Sequence, residues 1–140
     1  MFVELALSMR NKPPIVREYM TRLPVEAERC RTVREAIALM ESHDIRHIPI
    51  MNGSHLVGIV TERDVMQARI EQGGRVGTVE LADICQRDVL SVSPVTPIDE
   101  VVRRMLGRNA GSAVVVDGGF VVGIFTTTDA LRLLRDFFSS

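Results

Sequence analysis

The sequence predicts an α/β fold, of the α+β type, built from two pseudo-symmetric β-α-β-β-α units. The first observation behind this prediction is a repeat: residues 58–64 read GIVTERD and return sixty-five positions later, at residues 123–129, as GIFTTTD. The second is that flanking residues align at the same offset without a gap, as Met40 does with Met105. Self-similarity at one period indicates two copies of one structural unit.

Short apolar runs and turn signals predict the strands. Residues 16–23 lead into a short strand at residues 24–27, whose counterpart is residues 89–92. Two further runs, residues 45–51 and 55–60, flank an Asn-Gly pair, which is the favoured signal for a tight hairpin. The second copy carries an Asp-Gly pair at the same place, so each unit is expected to contain one hairpin.

Capping signals predict the first helix of each unit. Thr32 followed by Glu35 has the pattern of a capping box, which begins a helix. Pro97 marks the start of the equivalent helix, which is expected to end at Gly107 or Asn109. The predicted apolar faces consist of Val33, Ala36, Ile37 and Met40 in the first copy, and of Ile98, Val101, Val102 and Met105 in the second.

The Thr-x-x-Asp of each repeat opens a second helix, at residues 64–70 and 129–138. A capping role alone would explain such a pair. The predicted apolar stripes consist of Val65, Met66 and Ile70, and of Ala130, Leu131, Leu134 and Phe138. The glycine-rich residues 73–78 between the copies predict a flexible linker.

These elements divide the chain into an N-terminal arm (residues 1–15), a first unit (residues 16–72), the linker and a second unit (residues 79–140). Units of about 60 residues bury only about 60% of their unfolded surface. We therefore expect the two units to stabilise each other.

Composition and charge exclude several function classes. The chain is 46% hydrophobic and 25% charged, with a net charge of -1 and basic residues spread along it, so no nucleic-acid surface is expected. The apolar start contains Glu4, lacks a basic region before it and is too short to span a bilayer, which predicts a cytoplasmic protein with no membrane partner.

Cys30 and Cys85 are expected to be buried, reduced thiols. His43 and His47 are not expected to bind metal, because no third ligand lies nearby.

The repeated Gly-apolar-x-Thr-x-x-Asp, the Met20-Thr21 pair and the IRHIPI run at residues 45–50 together resemble a tandem pair of cystathionine-β-synthase (CBS) domains, a Bateman module of the stand-alone bacterial or archaeal type. The resemblance covers about residues 16–136. It implies two units packed through their sheets, with clefts between them that bind an adenosine-containing ligand such as AMP, ADP, ATP, S-adenosylmethionine or NAD. It also implies a regulatory homodimer that has no catalytic cofactor and signals to an effector protein.

The resemblance also assigns roles to individual residues. An ionised carboxylate can accept hydrogen bonds from both hydroxyls of a cis diol. Asp64 with Thr61 would hold the ribose in one cleft, and Asp129 with Thr126 in the other. The phosphate-binding candidates, for which a solvated surface position is the alternative, are Arg63, Arg46, His47 and Arg108. The adenine-pocket candidates, for which plain sheet core is the alternative, are Val25, Ala27, Ile48, Ile50, Leu90, Val92 and Val114.

The two copies differ around the shared motif. Thr127 and Thr128 stand where the first copy has Glu62 and Arg63, and Ser112 stands in place of His47. The Met-Thr pair at residues 20 and 21 is replaced by Cys-Gln at residues 85 and 86. We therefore expect two unequal sites, with an anionic phosphate disfavoured at the second.

Two other function classes compete with a ligand sensor. An enzyme is not expected, because no nucleophile with a base, phosphate-binding loop or metal set has a supporting spacing. A structural protein-interaction module without ligand binding would keep each Thr-x-x-Asp only as a helix cap. The presence of both Thr and Asp in both copies, where neighbouring positions differ, favours ligand binding.

Overall fold

The structure is a computed structural model that describes residues 12–22 and 24–139. Most of the predicted N-terminal arm, residues 1–11, lies outside the described residues. The strands are β1 (Thr21–Arg22), β2 (Ala27–Glu28), β3 (His47–Asn52), β4 (His55–Thr61), β5 (Ser91–Val92), β6 (Ser112–Asp117) and β7 (Phe120–Thr126). The α-helices are α1 (Val33–His43), α2 (Glu62–Gln72), α3 (Leu81–Ile84), α4 (Ile98–Arg108) and α5 (Thr127–Ser139), and 3₁₀ turns cover Val16–Glu18 and Gly73–Gly77.

The described residues form two compact units that regroup the predicted domains. Residues 24–89 form one unit, which we call the middle unit. Residues 12–22 together with 90–139 form the other, which we call the terminal unit. The mixed α/β fold with two sheets is as predicted, but the start of the first repeat belongs to the unit that contains the second.

Strand pairing explains this regrouping. The sheet of the terminal unit has the order β1-β7-β6-β5, because Thr21 of β1 pairs with Ile124 of β7 in antiparallel orientation. The sheet of the middle unit has the order β2-β3-β4. Gln86 extends it with two backbone hydrogen bonds of 2.9 Å to Ile59 of β4. Residues 20–22 and the equivalent residues 85–87 thus each pair with the hairpin of the other repeat, and we call them the crossing segments.

The helix caps are those predicted from the sequence. The Thr32 hydroxyl accepts a hydrogen bond from the Glu35 backbone N–H, and the Glu35 carboxylate accepts one from the Thr32 backbone, so the capping box of α1 is complete. Pro97 is the N-cap of α4. Of the two predicted ends of α4, Asn109 is the observed one, with a left-handed φ of 52°. Asparagine tolerates this conformation better than most residues.

Each unit has its own apolar core. The middle unit buries Ala27, Val33, Ala36, Met40, Ile48, Ile50, Val60, Val65, Ala68, Val76 and Leu81. The terminal unit buries Val16, Leu90, Val92, Ile98, Val101, Met105, Ala113, Val115, Phe125 and Leu133. Within residues 12–22 and 24–139, no helix has the length and apolar character needed to cross a bilayer.

The predicted apolar stripes of α2 and α5 are partly wrong. Met66 and Ile70 are 55% and 78% exposed, and Leu131, Leu134 and Phe138 are also exposed. The core instead receives the fourth and seventh residues of each helix, namely Val65 and Ala68 in α2, and the half-buried Ala130 with the buried Leu133 in α5. The capping threonine fixes where each helix starts, and this start determines which side chains reach the core.

Two further predictions need correction. Residues 73–78 are not a flexible linker, because Gly73–Gly77 continue from α2 as a 3₁₀ turn and Val76 packs into the core of the middle unit. The cysteines are not both buried: Cys30 is exposed and Cys85 is half-buried. Neither forms a disulfide within the described residues.

The close approach of the crossing segments to the two motif glycines predicts that alanine is tolerated less well at Gly58 than at Gly123. A Cβ at Gly58 would lie 2.7 Å from the Cys85 Sγ and 2.8 Å from the Gln86 backbone oxygen, whereas one at Gly123 would meet the flexible Met20 side chain. Gly58→Ala should lower the free energy of unfolding by about 1–3 kcal/mol, and Gly123→Ala by less. Urea unfolding of the two variants measures this difference. Equal losses, or rescue of Gly58→Ala by Cys85→Ala alone, would contradict the role of the Gln86 backbone.

Candidate functional site

Asp64 lies in the first turn of α2, where β4 passes directly into the helix. Its Oδ2 accepts hydrogen bonds from the Thr61 backbone N–H at 2.8 Å and the Thr61 hydroxyl at 2.9 Å. The Thr61 oxygen in turn accepts a hydrogen bond from the Asp64 backbone N–H, which completes a capping box. The Gln86 side-chain amide lies 3.2 Å from both carboxylate oxygens. Asp64 is half-buried.

Asp129 has the same arrangement in the terminal unit but is more enclosed. Its Oδ2 accepts hydrogen bonds from the backbone N–H and the hydroxyl of Thr126 at 2.9 and 3.1 Å. The Thr21 hydroxyl lies 3.1 Å from Oδ1, and Arg132 Nη1 lies 3.4 Å from the same oxygen. Asp129 is only 5% exposed. Burial of a charge is tolerated here because hydrogen bonds and a cation surround it.

Contacts of Gln86 and Thr21 with the motif carboxylates were not predicted from the sequence. Each belongs to a crossing segment and places one hydrogen-bond donor on the motif carboxylate of its own compact unit. The sixty-five-residue offset relates the two positions, so the repeat contains the signal that they are equivalent. Their partners could not be inferred, because the repeat does not show which hairpin each segment joins.

The phosphate-binding candidates lie in different places. His47 stands opposite Thr61 in the β3–β4 ladder, and Arg46 lies next to it, 3.9 Å from the Glu62 carboxylate. Arg63 is exposed on the first turn of α2. The structure therefore brings Arg46, His47 and Arg63 to the same end of the middle unit as Asp64. Arg108 belongs to the terminal unit, in the last turn of α4.

The structure lowers the pKa of His47 below its ordinary value. Burial of the imidazole is the main cause and the adjacent Arg46 adds to it, whereas Asp64 and Glu62 oppose the shift. The neutral imidazole is therefore the favoured form at neutral pH. Ser112, which replaces His47 in the terminal unit, is buried and stands opposite Thr126.

Most adenine-pocket candidates are core residues. Ala27, Ile48 and Ile50 belong to the core of the middle unit, and Leu90 and Val92 to that of the terminal unit. Val25 is half-buried. Val114 is fully buried, but it faces away from Ala113 and Val115 because successive strand residues point to opposite sides of a sheet. A role of these residues toward a ligand stays a prediction.

Comparison with known proteins identifies the family. The model of the CBS domain matches residues 6–71 and again residues 81–136. The chain belongs to the CBS domain family. As a tandem pair of CBS domains, it carries two copies of the family's unit. The two matched ranges correspond to the two sequence repeats. The compact units differ from these ranges because each unit contains the crossing segment of the other repeat.

Solved structures of CBS domain proteins have the same fold. The AcuB protein of Vibrio cholerae has a TM-score of 0.82 and 32% identity over 91% of this chain and 94% of that one. The CBS domain pair of protein MJ0100, in complex with 5′-methylthioadenosine and S-adenosyl-L-methionine, has a TM-score of 0.79 and 29% identity over 89% of this chain and 98% of that one.

A longer relative contains the module as one part. L-aspartate semialdehyde sulfurtransferase of Methanocaldococcus jannaschii is 32% identical over 127 residues, which are 89% of this chain and 24% of that protein. The chain spans between 14% and 45% of the length of the first four curated relatives that it matches.

Within the described residues, no group of three or more His, Cys, Asp and Glu side chains is placed to hold a metal ion.

The burial of His47 predicts a pH-dependent stability. Because its pKa is lower in the folded than in the unfolded chain, the unfolded chain binds the proton more readily, and His47 destabilises the fold as the pH decreases through the unfolded pKa, near about 6.5. His47→Ser, which introduces the residue found at position 112, should reduce the loss of stability between about pH 7 and pH 5. Urea unfolding over this range measures the slope. The exposed His55→Ser is the control, and equal slopes for the two variants would contradict the prediction.

Proposed function

We propose that this chain is a regulatory module that binds an adenosine-containing ligand at Asp64 and transmits the binding event to an effector protein. The observation that carries the proposal is the half-buried Asp64 carboxylate, whose Oδ1 has the exposed Gln86 amide as its only donor among the described residues, in a fold whose relative MJ0100 is described in complex with two adenosine derivatives. The chemistry is binding only, and no catalytic cofactor is required.

The hydrogen bonds of Asp64 support ribose recognition. Thr61 holds Oδ2 and thereby fixes the orientation of the carboxylate, while the only other donor on it, among the described residues, is the exposed Gln86 amide. A cis diol could therefore donate to Oδ1 without breaking the helix cap. Such charge-assisted bonds are about twice as strong as neutral ones. Both ribose hydroxyls of an adenosine derivative fit this requirement.

The hydrogen bonds of Asp129 support the proposal that the two sites are unequal. A diol at Asp129 would compete with Thr21 and Arg132 for a carboxylate that is almost fully buried. We assign Asp129 and Thr126 a mainly structural role and Asp64 and Thr61 the ligand. Arg46 and Arg63 are the candidates that would favour AMP, ADP, ATP or NAD over a ligand without phosphate.

The ligand assignment is tested by calorimetry with 5′-methylthioadenosine, S-adenosylmethionine, AMP, ATP and NAD. Asp64→Asn keeps an oxygen for the helix cap but removes the charge, so the best ligand should bind at least about tenfold more weakly. Asp129→Asn is the matched control and should change the affinity little. The 2′-deoxy form of the best ligand should lose affinity for the wild-type protein, because it offers one hydroxyl fewer.

Three outcomes would count against this assignment. Equal losses in the two variants would contradict the choice of Asp64. Undiminished binding of the 2′-deoxy ligand would contradict recognition of the diol. If no adenosine compound bound, the proposed function would fail and a structural interaction module would be favoured.

A homodimer is the assembly that the surface of α5 supports. Leu131, Leu134 and Phe138 follow the i, i+3, i+7 spacing of one helix face and are exposed. Exposed apolar side chains grouped in this way are typical of interaction surfaces. A second copy of the chain that covers this face would remove them from water.

The dimer proposal predicts that Leu134→Glu shifts the protein from dimer to monomer, because the charge would have to be buried unpaired. Sedimentation velocity at several protein concentrations measures the shift. Leu106→Glu is the matched control, since Leu106 is an exposed leucine on a different helix, α4. A wild-type monomer, or equal dissociation of the two variants, would overturn the assignment to α5.

A further inference from the structure

The side chain of Gln86 occupies the position on Asp64 that the ribose would use. Its Nε2 lies 3.2 Å from Oδ1 and 3.2 Å from Oδ2, so it bridges the two carboxylate oxygens. A primary amide offers two N–H donors. Two hydroxyls of a cis diol present the same number of donors, and Oδ1, to which they would donate, is one of the two oxygens that Gln86 contacts. Gln86 therefore already donates to the carboxylate of Asp64, which the ligand would need as its hydrogen-bond acceptor.

We infer that Gln86 is an internal competitor for the ligand, whose side chain must leave Asp64 before an adenosine-containing molecule can bind there. This inference rests on the proposed function and adds the residue that sets the affinity of the site. The competition lowers the apparent affinity by the strength of the Gln86–Asp64 hydrogen bonds.

The backbone of Gln86 stays in place when its side chain moves. Its N–H and C=O form the two 2.9 Å hydrogen bonds to Ile59, and its carbonyl oxygen packs closely over Gly58. The residue itself is exposed, so water can satisfy the amide once it has left the carboxylate. Displacement is thus a rotation about side-chain bonds, and it leaves the sheet intact.

The equivalent residue in the terminal unit is less able to move aside. Thr21 carries its hydroxyl directly on Cβ, and a β-branched side chain has few rotamers. Its backbone lies in the β1–β7 ladder. Arg132 also contacts Oδ1 of Asp129. The same position therefore carries a displaceable donor in one unit and a fixed donor in the other.

The inference is tested by removing the amide of Gln86 in the full chain. Gln86→Ala should bind 5′-methylthioadenosine or AMP between about twofold and tenfold more tightly than the wild-type protein. Gln86→Met keeps the length of the side chain without the donor and should show the same gain. Gln67→Ala is the matched control, because Gln67 also donates to an exposed carboxylate, that of Glu71 at 2.7 Å, and should leave the affinity unchanged.

The outcomes separate this inference from the proposed function. Tighter binding by both Gln86 variants, or binding by these variants alone, supports the competition. Unchanged or weaker binding by Gln86→Ala, while Asp64→Asn still weakens binding at least about tenfold, overturns the competition and leaves the proposed function standing. If neither the wild-type protein nor any Gln86 variant binds an adenosine compound, the proposed function fails and the inference fails with it.

Discussion

In each compact unit, one carboxylate accepts hydrogen bonds from two separate parts of the fold. Oδ2 of Asp64, and likewise of Asp129, caps the helix that follows the hairpin. The same carboxylate accepts a hydrogen bond from the crossing segment. The turn from strand to helix and the position of the crossing segment therefore depend on a single side chain. A ligand that bound this side chain would compete with the contact from the crossing segment.

The glycine six positions before this carboxylate serves the same arrangement. A side chain at Gly58 would collide with Cys85 and with the backbone of Gln86, and one at Gly123 would collide with Met20. Glycine thus lets the crossing segment approach the hairpin, and the aspartate then binds it. The Gly-x-x-Thr-x-x-Asp pattern is consequently a requirement of the fold as well as a candidate ligand signature.

The local features of this fold could be predicted from the sequence, but the pairing of distant segments could not. The helix starts at Thr32 and Thr61 could be predicted because a capping box involves residues only three positions apart. Thr21 and Asp129, in contrast, are 108 positions apart, and a two-residue strand has no periodicity that would identify its partner. The prediction that Ile70 is buried was wrong because it rested on apolar character alone, whereas α2 turns the side with Val65 and Ala68 toward the core.

The two carboxylates also differ in how their charge is balanced. Arg132 lies 3.4 Å from Asp129 in the terminal unit, and the residue at the equivalent position of the middle unit is the uncharged Gln67. Among the described residues, no ion pair joins Asp64 to a cation, and Arg46 lies 3.9 Å from the Glu62 carboxylate. Arg132 thus balances the charge of Asp129 within the terminal unit, whereas the donors on Asp64, among the described residues, are the uncharged Thr61 and Gln86. Two copies with the same Thr-x-x-Asp therefore differ: one is a buried cap balanced by a cation, and the other is the half-buried carboxylate to which we assign the ligand.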